Sequence, residues 1–247
     1  MASRRRQSEH GFTLIEMSIV IVIIGIILSM SMSVLTRQVQ RTALVSTKDN
    51  ADQVIDAVAN FLYQHNRLPC PAAPNGSGAS FGQERNSCTN VANAGGIVPF
   101  KTLGLTEAQA KDGYKRYLTY RVTPALASSS FTALTDYCAV SDSARSSDID
   151  IRDENNNSVS PGSVIAVAII SHGENGYGAY TGNGNNQYSA TAGSNDEDEN
   201  ADEDENLVDR PFSSNSSDIF DDLVRWKTKY NLVSSHSSSF SCPPASP

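Results

Sequence analysis

Glu16 is the one charged residue in the run FTLIEMSIVIVIIGIILSMSMSVL, residues 12–35. An ionised carboxylate at hydrocarbon depth costs about 2.5–3.5 kcal/mol on insertion scales unless it is paired. A partner exists if the chain is cut between Gly11 and Phe12, because cleavage creates an α-amine on Phe12, one helical turn from Glu16. Between two staggered helices the carboxylate of one copy neutralises the amine of the next. Each charge then removes the other's desolvation penalty, and one axial register is favoured. The chemistry implied is proteolysis followed by charge pairing between copies.

A second group of oxygens lies in NDEDENADEDENLVD, residues 195–209, where eight of the ten residues from 196 to 205 are acidic. Asp196, Asp198, Asn200, Asp202 and Asp204 have the alternation of a calcium loop, and Ca2+ takes six to eight such oxygens. Ala201 and Leu207 stand where an EF-hand needs glycine and glutamate, so no EF-hand is present. Two readings stay open, a calcium loop and a solvated acidic loop held open by self-repulsion. A third group, Ser171-His172-Gly173-Glu174, puts a nucleophile, a base and an acid side by side. Neighbours on a strand point to opposite faces and cannot form a triad with each other. The chain lacks a nucleophile elbow, a Walker A loop, H-E-x-x-H and G-x-G-x-x-G, and is not expected to be an enzyme.

Those groups need elements to hold them. As a helix, residues 12–35 would span roughly 36 Å, enough to cross a hydrocarbon core of about 30 Å with some tilt. Arg4, Arg5 and Arg6 ahead of it predict a cytoplasmic N-terminus and an extracytoplasmic remainder. The apolar run is too long for a signal-peptide h-region, and SMSMSV is a poor cleavage site. Apolar residues at Leu44, Ala51, Val54, Ile55, Val58, Phe61 and Leu62 keep helical spacing through residue 66, so one helix over 12–66, roughly 80 Å long, is expected. The other arrangement is a separate amphipathic helix after a hinge near 36–42. Pro69 and Pro71 are expected to end the helix.

Beyond it, a Pro/Gly/Ser-rich loop carries Cys70 and Cys88. Thr106 and Gln109 have capping-box spacing for a short helix. Strands are expected over 114–122, weakly over 136–140 with Cys138, over SVIAVAII at 163–170, and over 223–228. Strands covering a long helix by one face make an α+β head, residues 67–247, with long loops. Four cysteines in an oxidising compartment form disulfides, with three possible connectivities. Short-loop closure favours Cys70–Cys88, leaving Cys138–Cys242 to tie the tail to the head. The alternative, a zinc site, has no C-x-x-C pair to start from. The net charge of −8 becomes −10 once the leader is removed, before termini are counted. Direct nucleic-acid binding, which needs clustered Lys/Arg, is not expected.

Gly11-Phe12-Thr13-Leu14-Ile15-Glu16, after a short basic leader and before an apolar helix, resembles the N-terminal motif of type IV pilins and type II secretion pseudopilins. The resemblance implies a leader of residues 1–11, cleavage after Gly11 by a prepilin peptidase, N-methylation of Phe12, and assembly of subunits through Glu16. Gly25 falls where the family often has a glycine that lets the packed helix loosen. Ser33 occupies a position where many major pilins have proline, which points towards a minor pilin or pseudopilin. The LPCPA, GGIVPFKTLGL and SHGENGYGAY runs resemble bacterial prepilin-like proteins with larger heads. The implied place is the bacterial inner membrane, with a periplasmic head, and then a filament of pilin or pseudopilin subunits. A tip-located adhesin, with residues 173–195 as contact loops, or a solitary signal-anchored binding protein are the alternative readings.

Overall fold

The computed structural model describes residues 12–143, 148–180, 193–202, 204–234 and 242, with the side chains of 30–36 left out. Helix α1 is Leu14–His65 and contains no proline. It ends at Asn66, which adopts the left-handed conformation with φ 59°. There the Asn66 N–H still donates to Leu62 O at 2.7 Å, and Asn66 Nδ2 donates to Thr132 O at 3.0 Å. Asparagine tolerates this conformation, so it stops the helix before Pro69 and Pro71 are reached.

The remaining elements are short: α2 (Val91–Ala94), β1 (Gly95–Ile97), β2 (Thr119–Val122), α3 (Leu134–Cys138), β3 (Asp150–Arg152), β4 (Ile165–Ser171), α4 (Asn195–Ala201), β5 (Asn206–Val208), β6 (Ser213–Asn215), β7 (Asp218–Phe220), β8 (Leu223–Thr228) and α5 (Lys229–Ser234). The chain divides into two units, residues 1–42 and 43–247. In the second, an antiparallel sheet runs β1-β2-β4-β8. This is an α+β arrangement of N-terminal helix and antiparallel head.

The sheet is buried on both faces, which is why β4 is entirely apolar until Ser171. On one face Tyr120, Val122, Val167 and Ile169 pack in the same core as Val54, Val58 and Leu62 of α1. On the other, Ile165, Ala168 and Ile170 pack against Ile151 of β3 and Leu207 of β5, a parallel pair. A register shift between Ile165 and Val167 lets Ile165 share a face with Ala168.

The LPCPA and GGIVPF runs interlock. Ala72 and Ile97 exchange backbone hydrogen bonds of 2.9 and 3.1 Å, and a Cβ on Gly96 would press against the Ala72 carbonyl. Arg67 grips Glu84 through two bonds of 2.8 and 2.9 Å, and Glu84 also accepts from Cys70 N at 3.0 Å. Cys70 is bonded to Cys88, and Cys138 to Cys242.

Three expected elements differ. Thr106 and Gln109 do bond, at 2.9 and 2.7 Å, but only over a turn. Asn50 Nδ2 on α1 donates to the Ala108 and Lys111 carbonyls, and Leu118 N donates to that of Ala110, so tertiary contacts hold the segment as a turn. Residues 134–138 are the helix α3 rather than a strand, because Asp136 accepts from Thr132 N and Ala133 N at 2.8 and 3.1 Å and caps a turn. Residues 195–201 are helical, not a loop, with Ser194 accepting from Glu197 N at the N-cap.

Candidate functional site

Phe12 and Thr13 precede α1, and Glu16 lies in its first turn. The Glu16 N–H donates to Thr13 O at 3.1 Å and Thr13 Oγ1 at 3.3 Å, so Thr13 takes up an N–H that the helix leaves open. An acidic side chain in the first turn also complements the helix dipole. Every described side chain from 12 to 29 is exposed, Phe12 at 77% and Leu14 at 91%. Such a length of isoleucine and valine left open is far more apolar surface than a lone soluble chain tolerates. Gly11 and the leader, residues 1–11, lie outside the described residues. Among the described residues no helix is long and apolar enough to cross a membrane. The side chains that complete the apolar run, 30–36 with Ser33 among them, lie outside that description. Gly25 has open space around it.

The five oxygen donors at alternating positions do not converge. Helix α4 separates their directions, since residues two apart on a helix do not share a face. Asp196 pairs with Arg210 at 2.6 Å, and Asp198 accepts from the Tyr177 hydroxyl at 2.6 Å. Asn200 is buried and clamps two segments: its Nδ2 donates to Val208 O and Asp222 Oδ2, and its Oδ1 accepts from Val208 N. Asp202 and Asp204 fold the chain back through Asp204 N to Asp202 Oδ1 and Asn206 N to Asp204 Oδ1. Burial, with the neighbouring charges of Asp204 and Glu199, raises the Asp202 carboxyl to about 6.

Among the described residues, the acids that do come together are Glu197, Asp221 and Asp222, whose nearest oxygens all lie within 4.8 Å of one another. Only Glu197 belongs to the acidic run. The signal for the other two is IFDDLV, residues 219–224, a pair of acids set directly between apolar residues rather than in a solvated stretch.

Ser171, His172 and Glu174 have separate partners. The Ser171 hydroxyl donates to Asp112 Oδ2 at 2.9 Å, His172 Nε2 lies 3.0 Å from Thr119 Oγ1, and the Glu174 N–H donates to Asp221 Oδ2 at 2.9 Å. Burial, aided by Arg121 and Arg116, lowers the His172 imidazole to about 3 and keeps it neutral. Buried Lys229 gives no sign in the sequence; its Nζ donates to Val140 O at 2.6 Å and Cys138 O at 3.3 Å and lies 3.1 Å from Asp142 Oδ1.

Residues 6–32 match the family model of the prokaryotic N-terminal methylation motif. That motif is the hallmark of prepilin-like proteins, the type IV pilins and pseudopilins, and it implies processing by a prepilin peptidase and assembly with other pilin-like subunits. The likeness is confined to this N-terminal segment and stops well short of the head. No curated protein and no solved structure matches the chain.

Proposed function

We propose that this chain is a structural subunit of a type IV pilus or type II secretion-like filament, as a minor pilin or pseudopilin. It is inserted in the inner membrane with Arg4–Arg6 cytoplasmic and the head periplasmic, cut between Gly11 and Phe12, and methylated on Phe12. The helix then leaves the bilayer to pack among other subunits, with Glu16 of one copy meeting the Phe12 amine of another. The observation that carries this is the motif at 6–32, whose residues from Leu14 onward lie on a helix with exposed, mainly apolar side chains through 29 around the single acid Glu16. Apolar surface is equally satisfied by lipid and by neighbouring helices, so moving between them costs little beyond the charge, and the charge is what pairing removes.

The test has two readouts. Intact mass of the membrane-extracted protein should show a chain beginning at methylated Phe12. Sheared filaments should contain wild-type protein and lack the Glu16→Ala variant, while its head still accumulates in the membrane fraction. Normal incorporation of Glu16→Ala, or a mature chain still carrying residues 1–11 in cells with an active peptidase, overturns the reading.

A further inference from the structure

Glu197 is fully buried, and its carboxylate accepts from Asn175 Nδ2 at 2.9 and 3.0 Å, Gly193 N at 2.7 Å and Asp221 N at 3.1 Å. Asp221 accepts from Glu174 N and Asn175 N through Oδ2 only, at 2.9 and 3.0 Å. Asp222 accepts from Asn200 Nδ2 through Oδ2 only, at 2.9 Å. Asp221 Oδ1 and Asp222 Oδ1 are buried without a hydrogen-bond partner. Among the described residues no lysine or arginine forms an ion pair with any of the three.

A second observation stands outside the acids. His172 Nδ1 is buried and unpartnered, on a side chain 1% exposed, and faces Asp222 Oδ2 at 3.9 Å. That gap is too wide for a hydrogen bond, and the ring is held in place from its far side by Thr119. Three clustered carboxylates, two of them with an oxygen that has no hydrogen-bond partner, and an unpartnered imidazole nitrogen beside one of them make up a set of buried donors. Bringing these groups together costs desolvation and mutual repulsion that the surrounding N–H donors offset only in part.

We propose that Glu197, Asp221 and Asp222 form a divalent-cation site, with His172 flanking it. Carboxylate oxygens select a hard ion, of the Ca2+, Mg2+ or Mn2+ class. The donors come from α4, the β7–β8 junction and the end of β4, so a bound ion ties the acidic segment to the central sheet. The site does not depend on the filament reading.

The experiment uses the full mature chain in detergent, stripped with EDTA and then titrated separately with CaCl2, MgCl2 and MnCl2. The expected result is saturable binding of one equivalent of at least one ion, at a Kd of about 1 mM or tighter, with a rise in Tm. Asp221→Asn and Asp222→Asn should each weaken binding by more than about tenfold and lose the Tm rise. In the ion-free state both variants should be as stable as wild type or more so. Each removes an acid whose ionised form is disfavoured by burial and by the neighbouring acids, and the amide oxygen that Asp222→Asn introduces can still accept from Asn200. A purely structural carboxylate would instead lower Tm with and without the ion. Asp196→Asn, whose partner is Arg210, should bind as wild type does. The proposal is overturned by unsaturable titrations with all three ions, by a Tm loss in Asp221→Asn that is the same with and without ion, or by equal loss of binding in Asp196→Asn, which would mark diffuse attraction to the acidic run.

Discussion

Leu62→Ala tests whether the helix that carries the processing motif is also the floor of the head. Leu62 sits in the last turn of α1, is 0% exposed, and packs in the core shared with Tyr120, Val122 and Ile169. Truncating a leucine held that tightly removes its transfer free energy and leaves a cavity, together about 3–4 kcal/mol. For a domain near 200 residues, each kcal/mol moves Tm by about 2–4 °C, so Leu62→Ala should lower it by roughly 6–16 °C. The one tryptophan, Trp226, is a suitable reporter: it is on β8, its Nε1–H donates to Asp209 Oδ2 at 3.1 Å, and it packs on the sheet face opposite the helix. Loss of its fluorescence therefore reports the whole head rather than the mutated contact. The measurement is thermal and urea unfolding of the oxidised full chain in detergent, with Leu44→Ala as control. Leu44 is 43% exposed on the same helix and should cost under about 0.5 kcal/mol. If the two variants unfold alike, α1 is not packed as described and the two-sided burial of the sheet is wrong.

Two further perturbations probe buried polar groups. Lys229→Met should cost about 3–5 kcal/mol in urea unfolding, because it leaves Asp142 and two carbonyls without their cation; Lys229→Met with Asp142→Asn should recover part of that, and no recovery would sink the pairing. Burial pushes the Asp112 carboxyl above the usual carboxylate range, outweighing its bonds from Arg116 N, Ser171 and Tyr114 N. The folded state thus holds that proton more tightly than the unfolded chain, so its stabilising contribution is present at low pH and lost as pH rises through the raised value. As pH rises from the ordinary carboxylate range through that raised value, wild type should lose Tm relative to Asp112→Asn. A difference between the two that is constant with pH refutes the assignment.

Residues 12–66 are readable as one helix because hydrophobicity and 3.6-residue spacing are local properties that no later contact has to supply. The strands over 163–170 and 223–228 are readable for the same reason, being β-branched or alternating and bounded by turn residues. Glu16 stands out by being charged where nothing else is. Tertiary contacts decide the rest. The turn at 106–110 has a helix-start signature, yet Asn50 of α1, more than fifty residues away, donates to the Ala108 and Lys111 carbonyls and anchors it as a turn. The acidic run looks uniform in one dimension, with alternate positions equivalent. Folding buries Glu197 and Asn200, leaves Asp196 to Arg210 and Asp198 to Tyr177, and brings Asp221 and Asp222 to Glu197 from the far side of a hairpin. Charge and hydropathy add along a chain, so composition can announce an apolar N-terminal helix and an acidic segment. Which carboxylates lose their water together depends on distances between segments remote in sequence, and only packing sets those.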